Sequence, residues 1–226
     1  MCASLPRPSG KDNFNGSVRA CTKVGIIGTG DVGRALAAGL SRAGHEIALG
    51  SRIPANVEPM PPVHVVTRKE AAAWAEVVIL AVPFHAVHDT MKAIGPNALN
   101  GKVLVDATNA IGASGLAVGH TTSGAEELQK LVPGARVVKA FSTAFAETMS
   151  TGRAGGEAIV LPVAGSDAAA KDTVMRLAAD VGFDPVDAGP LRNARYLEPL
   201  ALQLMYFAYG TPKLGRNIGL KLLRGP

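Results

Sequence analysis

The chain has 226 residues, of which 47% are hydrophobic and 18% are charged, and its formal net charge is +5. This length and apolar content indicate an ordinary globular protein that can bury a full hydrophobic core. The sequence has only three Tyr and one Trp, and no basic stretch is interleaved with aromatic residues, so the stacking platform of a single-strand nucleic-acid binder is missing. We therefore expect no nucleic-acid partner.

The amino-terminal segment differs in composition from the rest of the chain. Residues 1–20 contain no apolar stretch long enough for the core of a signal peptide, and no later segment has the length of a transmembrane helix. We expect a flexible extension over residues 1–20, a cytoplasmic protein and no membrane partner. The cysteines and histidines show no metal-ligand spacing, so we expect no metal site.

From Lys23 onward, short apolar runs alternate with helical segments. The runs predict strands at residues 23–28, 46–50, 63–67, 77–82, 102–109, 135–141, 158–165 and 183–189. The intervening helices include one after Gly30, one capped by Thr67, one capped by Ser123, and one over 168–181. This alternation predicts an α/β fold with a doubly wound Rossmann sheet over residues 21–189. A small C-terminal helical appendage, with one helix from Asn193 to about Tyr209 and then a tail, is expected over residues 190–226.

Glycines follow the first predicted strand at a recognisable spacing. Gly28, Gly30 and Gly33 form a G-x-G-x-x-G motif between that strand and a helix. The first glycine allows the tight turn, the second lets the backbone approach a pyrophosphate, and the third lets helix and strand pack closely. The amino terminus of the helix then faces the phosphates. The motif predicts a dinucleotide site, and a plain strand-to-helix turn with incidental glycines is the alternative.

The end of the second strand carries the signal for the type of dinucleotide. An enzyme that prefers NAD would place a carboxylate there, but this chain has Gly50, Ser51 and Arg52. A hydroxyl and a guanidinium can donate hydrogen bonds to a 2′-phosphate, and no carboxylate repels it. We predict NADP(H) with its 2′-phosphate beside Ser51 and Arg52, and a solvated loop is the alternative.

The nicotinamide is expected in the crevice at the carboxyl ends of the central strands. The residues predicted to line this crevice are Ala81, Val82 and Pro83 after the fourth strand, and Ala107, Thr108 and Asn109 after the fifth. Short-chain dehydrogenase chemistry is disfavoured because the chain has no Y-x-x-x-K motif. Hydroxyacid dehydrogenase chemistry is disfavoured because residues 190–226 are too few to build a second helical domain that carries a catalytic lysine.

With these two dehydrogenase classes disfavoured, we expect a redox reaction that needs little acid or base catalysis from the protein. Direct hydride transfer between two stacked redox rings requires contact and orientation, so we predict no catalytic side chain. Two alternatives stay open. Reduction of a small carbonyl or imine would need a proton donor, for which His85 and Thr143 are the candidates. A non-catalytic NADP-binding module that reports redox state to a partner is the other.

The sequence resembles the F420-dependent NADP reductase family. Three segments spread over most of residues 23–223 carry the resemblance: IGTGDVGRALAAGLSRAGHEIALGSR, LAVPFHAV and DAGPLRNARYLEPLALQL. The resemblance implies a homodimer, with a deazaflavin lying against the nicotinamide. The NADP-binding residues that it implies are Thr29, Gly30, Asp31 and Val32 at the turn, with Ser51 and Arg52 at the 2′-phosphate. The cytoplasmic domain of membrane ferric reductases is similar too, with a flavin in that role.

The chain departs from this family's pattern at two places. The archaeal enzymes carry a histidine and a proline where AFSTAFAET has Ser142 and Phe145, and Asn56 replaces a basic residue that follows the GSR segment. We predict an F420 or flavin ring between the nicotinamide, residues 142–146 and the carboxyl-terminal segment. The cofactor contacts expected there are Ser142, Thr143 and Ala144.

Overall fold

The computed structural model describes residues 21–112, 115–210, 213–223 and 225, and the predicted extension over residues 1–20 lies outside them. The strands within these described ranges are β1 (Lys23–Ile27), β2 (Glu46–Ser51), β3 (His64–Thr67), β4 (Val77–Leu80), β5 (Val103–Asp106), β6 (Ile111–Gly112), β7 (Gly115–Leu116), β8 (Arg136–Lys139), β9 (Arg153–Ala154), β10 (Glu157–Ala158), β11 (Val160–Gly165) and β12 (Asp184–Asp187). The α-helices are α1 (Asp31–Arg42), α2 (Arg68–Trp74), α3 (Val87–Ile94), α4 (Gly124–Leu131), α5 (Ala146–Met149), α6 (Ala168–Val181) and α7 (Ala194–Tyr209).

Eight of these strands form one sheet in the order β12-β11-β8-β5-β4-β1-β2-β3. The six strands from β3 to β8 are parallel, and the order reverses between β1 and β4, which confirms the predicted doubly wound Rossmann sheet. β11 runs antiparallel to β8, and β12 is parallel to β11. The change of direction follows from the connection after β8, where only the short α5 and the β9–β10 hairpin precede β11.

The sheet is covered on both faces, so its central strands alternate between two cores. Along β4, Val77 and Ile79 enter the core that contains α1 and α6, whereas Val78 and Leu80 enter the core under α2, α3 and α4. Side chains of a strand point to opposite faces with a period of two, so a strand buried on both sides has a continuously apolar sequence. This arrangement accounts for the apolar run that predicted a central strand.

Helix boundaries follow the caps in the sequence. Thr67 and Glu70 form a complete capping box at the start of α2. Asp167 accepts a hydrogen bond from the backbone N–H of Ala170 at 2.7 Å, and Gly182, whose φ is 119°, caps the other end of α6. A left-handed residue of this kind ends many helices, and glycine adopts it without strain.

The carboxyl-terminal appendage consists of α7 and a tail that returns across the molecule. Helix α7 buries Leu197, Ala201 and Leu204, and it packs on α4 and β7. In the tail, the carbonyl of Leu220 accepts a hydrogen bond from the backbone N–H of Val160 at 2.9 Å. Among the described residues, no helix combines the length and the hydropathy needed to cross a bilayer.

Candidate functional site

A crevice runs along the carboxyl ends of the central strands and contains three adjoining cavities. The arginine cavity, of about 530 Å³, is lined by Gly28, Thr29, Gly30, Gly50, Ser51, Arg52, Ile53, Asn56, Val57, Arg68, Ala81, Val82 and Pro83. The turn cavity, of about 370 Å³, is lined by Gly30, Asp31, Val32, Ala81, Val82, Pro83, Phe84, Ala107, Thr108 and Asn109. The helix cavity, of about 180 Å³, is lined by Asp31, Val32, Asn109, Ser142, Thr143, Ala144, Phe145, Ala146, Glu147, Ala201, Leu204, Met205, Tyr209 and Arg216. Each cavity shares lining residues with the next, so the three lie side by side along the crevice.

The glycine turn between β1 and α1 fits a pyrophosphate. A Cβ atom on Gly28, whose φ is 128°, would collide with the carbonyl oxygen of Ala81, and one on Gly33 would collide with the carbonyl oxygen of Gly28. At Gly30, by contrast, no heavy atom lies within 4 Å of such a Cβ position. Gly28 and Gly33 are therefore required by packing, while Gly30 leaves open space beside the amino terminus of α1. Of the predicted site residues, Gly33 is the one that lines none of the three cavities.

The arginine cavity suits an anion. Ser51 is buried, and its Oγ accepts a hydrogen bond from the backbone N–H of Ile53 at 3.1 Å, which leaves the hydroxyl proton able to donate to a ligand. The exposed Arg52 lines the same cavity. Arg68 also lines it, a residue that the sequence patterns did not single out. The cavity lining contains no carboxylate among the described residues.

The turn cavity lies where the nicotinamide is expected. The Oδ1 atom of Asn109 is buried and has no hydrogen-bond partner in the described part of the chain. Asn109 lines both the turn cavity and the helix cavity, so its amide is available to a molecule in either. His85, a candidate proton donor, lies in an exposed position of a 3-10 helix and lines neither cavity.

A buried ionic cluster lies next to the residues that line the turn cavity. Nζ of Lys139 lies 3.0 Å from Oδ2 of Asp106, donates to the carbonyl of Thr108 at 2.6 Å, and lies 3.2 Å from Oε1 of Glu198. The second oxygen of Asp106 accepts from the backbone N–H of Thr108 at 2.9 Å. This cluster therefore holds the loop that leads to Asn109, and the sequence patterns missed it.

The helix cavity is formed by the chain after β8 and by α7. Phe141 is buried at a φ of 65°, a conformation uncommon for a residue that is not glycine, and Ser142, Thr143 and Ala144 follow it into the cavity wall. Tyr209 packs edge to face on Phe145, with ring centroids 6.2 Å apart. Ser142, Thr143 and Ala144 thus share the walls of this cavity with residues of α7.

A charged pair from the tail borders this cavity. Arg216 forms an ion pair with Glu147 at 2.5 Å, and both side chains line the cavity. In the described ranges, no group of three or more His, Cys, Asp or Glu side chains is arranged to hold a metal ion.

Comparison with known proteins identifies the family to which this chain belongs. Residues 23–110 match the family model described as NADP oxidoreductase coenzyme F420-dependent. The chain is 33% identical over 228 residues to the F420-dependent NADP reductase of Methanothermobacter marburgensis, a match that covers 90% of this chain and 99% of that protein. This chain belongs to the F420-dependent NADP oxidoreductase family. Its members are NADP-dependent oxidoreductases, so the predicted enzyme class and the NADP cofactor are confirmed.

A solved structure and a second group of relatives extend the family comparison. A crystal structure from Arthrobacter sp. FB24, provisionally assigned as an F420-dependent NADP reductase, has a TM-score of 0.81 and 33% identity over 90% of this chain and 100% of its own. The chain is also 36% identical over 185 residues to metalloreductase STEAP3 of Rattus norvegicus, which covers 81% of this chain. It spans 37% of the length of that metalloreductase. The relatives are therefore named for different electron acceptors.

Proposed function

We propose that this family member exchanges a hydride between NADP(H) and a deazaflavin (F420) or flavin ring seated in the helix cavity. The observation that supports this acceptor site is the shared wall between two cavities. Asp31, Val32 and Asn109 line both the turn cavity and the helix cavity. A nicotinamide in the turn cavity would thus be next to a ring in the helix cavity, as direct hydride transfer requires.

Different residues would bind different parts of the NADP(H) molecule along the crevice. Thr29, Gly30 and the start of α1 would hold the pyrophosphate, and Ser51 with Arg52 would hold the 2′-phosphate. When bound, the reduced nicotinamide supplies the hydride. The amide of Asn109, which lines both cavities, would orient a polar group where they meet.

The walls of the helix cavity favour a flat aromatic acceptor. Its apolar side chains include Val32, Leu204 and Met205, which would cover a ring and exclude water from the site of transfer. Phe145 and Tyr209 add an aromatic pair at the same cavity. Asp31, Glu147, Tyr209 and Arg216 are the titratable residues of the lining, and Arg216 and Glu147 are engaged with each other.

The experiment that tests the proposal follows the absorbance of NADPH with purified protein. F420, FMN, FAD and riboflavin are offered in turn, and NADH is the control donor. Rapid, NADPH-specific oxidation with F420 supports the deazaflavin, and oxidation with flavins alone supports the flavin. No oxidation with any of the four acceptors contradicts the proposal and leaves the nucleotide site to be explained by another substrate.

Reduction of a small carbonyl or imine is the second candidate function. It is favoured by Thr143, a buried hydroxyl residue that lines the helix cavity, which a small substrate would occupy. His85 lacks this placement because it lines neither cavity. A proton donor is needed for this reaction, and Thr143 is the remaining one of the two predicted candidates.

We also propose that the protein is a homodimer that buries the exposed face of α7 and the tail. Large apolar or aromatic side chains are exposed there: Tyr196, Tyr206, Phe207, Tyr209, Leu214, Leu222 and Leu223. Contiguous exposed apolar surface commonly marks a protein interface. A second copy is the proposed occupant because an isologous contact buries the same patch on both chains.

A further inference from the structure

Arg68 reaches the arginine cavity because of the pairing between β2 and β3. The two strands are parallel, and Ser51 of β2 is paired with Thr67 of β3. The residues that follow this pair, Arg52 and Arg68, therefore leave the sheet side by side at its carboxyl edge. Both side chains line the arginine cavity. The register thus brings two guanidinium groups to one place from segments distant in the sequence.

Gly50 allows α2 to begin close to the end of β2. A Cβ atom on Gly50 would lie 3.1 Å from Cα of Arg68 and 3.0 Å from Cδ1 of Ile27. The start of α2 is fixed by Thr67, whose backbone N–H donates to Oε2 of Glu70 at 2.8 Å while its Oγ1 accepts from the backbone N–H of Glu70 at 3.2 Å. Arg68, the first residue of α2, is therefore held in place by its neighbours.

The electrostatic environment of Arg68 favours an anion. Burial and, secondly, the positive charge of Arg52 lower the pKa of Arg68. The Nε atom of Arg68 is buried and has no hydrogen-bond partner within the described residues. The lining of the cavity includes no carboxylate in the same described part of the chain. Two cations that face one cavity repel each other, and an anion between them would relieve the repulsion and use the unpaired donor.

We infer that Arg68 binds the 2′-phosphate of NADP(H) as a second guanidinium opposite Arg52, and that it determines specificity for NADP over NAD. Arginine presents several N–H donors in a fixed plane, which suits the oxygens of a phosphate. The 2′-phosphate would then be bound by guanidinium groups from two elements, Arg52 after β2 and Arg68 at the start of α2. This inference rests on the NADP site and is independent of the hydride acceptor.

The test compares two ligands that differ only by the 2′-phosphate, 2′,5′-ADP and 5′-AMP. Binding of each to the Arg68→Gln protein is measured by titration calorimetry at fixed ionic strength, because salt screens charge interactions. We expect 2′,5′-ADP to bind about tenfold more weakly or worse, and 5′-AMP to stay within about twofold of wild type. Lys69→Gln is the matched control, because it removes the same charge from the next residue of α2, which does not line the cavity. The control should bind both ligands within about twofold of wild type.

Two results would overturn the inference. The first is unchanged affinity of Arg68→Gln for 2′,5′-ADP. The second is an equal loss for both ligands in a protein that melts as wild type does by circular dichroism, because such a loss would place Arg68 at the adenosine. If the Arg68→Gln protein folds poorly, the Arg68→Lys protein replaces it in the same titrations. It keeps the charge but loses the planar fork, and we expect it to weaken 2′,5′-ADP selectively and by less than the glutamine variant does.

Discussion

Nζ of Lys139, at the end of β8, lies 3.2 Å from Oε1 of Glu198, in α7. Both side chains are almost completely buried, with exposed fractions of 0% and 2%. Glu198 also accepts hydrogen bonds from the backbone N–H groups of Gly124 and Ala125, at 2.9 and 3.2 Å. One carboxylate therefore connects the central sheet, the start of α4 and α7, which lines the helix cavity.

Removing Lys139 should destabilise the protein strongly. In Lys139→Met, Asp106 and Glu198 would remain buried without their cation, and breaking a buried ion pair from one side costs about 3–5 kcal/mol. We expect this loss in the free energy of unfolding, measured by urea denaturation at pH 7. The control is Lys130→Met, which removes an ion pair with Glu127 from a side chain that is 67% exposed. A change of less than about 1 kcal/mol in Lys139→Met would contradict the structural role of the cluster.

The sequence predicts the two strands that carry this cluster but not the contacts between their charged side chains. The strands that contain Asp106 and Lys139 were both predicted, and a charge at the end of an apolar run was visible in each. What the sequence did not give was the pairing, in which Asp106 and Lys139 are direct neighbours across parallel strands. The position of Arg68 could not be predicted for the same reason, because it depends on the register between β2 and β3.

Features fixed by local chemistry were predicted more accurately. The bounds of α6, Ala168–Val181, were predicted as observed because Asp167 and Gly182 cap the helix locally. The glycine turn was predicted from a motif whose three positions have separate local roles. The antiparallel direction of β11 was not predicted, because strand direction depends on how the preceding connection crosses the sheet. Short hairpins such as β6–β7 were missed for lack of a repeating pattern.

Two glycines of the turn should respond to alanine in different ways. Gly30 has a φ of −76°, and no heavy atom lies within 4 Å of its Cβ position, so Gly30→Ala should fold normally. Its methyl group would stand where the backbone must approach the pyrophosphate, and we expect NADPH to bind at least about tenfold more weakly. Gly28→Ala should instead lower stability by roughly 2 kcal/mol or more, because its backbone is left-handed and the methyl group meets Ala81.

Thermal unfolding without ligand and a fluorescence titration with NADPH separate the two effects. Normal NADPH affinity in Gly30→Ala would be inconsistent with a pyrophosphate beside that residue. A wild-type melting temperature in Gly28→Ala would show that the turn can move away from Ala81, contrary to the packing described above.

Thr143 distinguishes the two candidate reactions. Transfer of hydride to a deazaflavin or flavin needs no hydroxyl at this position, so Thr143→Val should keep kcat with a ring acceptor within about threefold. Reduction of a carbonyl or imine would lose its proton donor, and kcat should fall about 100-fold or more. Stopped-flow measurement of NADPH oxidation gives kcat, and His85→Ala, outside both cavities, is the control. A 100-fold loss with F420 or flavin as acceptor would count against unassisted hydride transfer.

The proposed dimer makes a prediction about Tyr206. This side chain is 56% exposed on α7, and a charge placed there would be buried in the interface. We expect wild type to sediment as a dimer in analytical ultracentrifugation and Tyr206→Glu to dissociate at micromolar concentration. Ile53→Glu is the control, because Ile53 is 57% exposed on the loop after β2 and should not affect association. A monomeric wild-type protein, or a Tyr206→Glu variant that remains dimeric, would reject this interface.

The ion pair between Glu126 and Arg195 predicts how stability varies with pH. Arg195 donates to Glu126 from Nε at 2.8 Å and from Nη2 at 2.6 Å, and these bonds hold the pKa of Glu126 below its ordinary value of 4.5. A carboxyl whose pKa is lower in the folded state contributes stability that is complete above the unfolded pKa and is lost as the pH falls through the folded pKa. Glu126→Gln should therefore unfold at a lower urea concentration than wild type at pH 7.

The difference between these two proteins should shrink as the pH falls below 4.5, because wild type then loses the same charge that the variant lacks. Urea denaturation at several pH values measures it, with Glu76→Gln as a control at an exposed carboxylate. A difference that stays constant from pH 7 to the lowest pH at which the protein folds would show that the ion pair is not its cause.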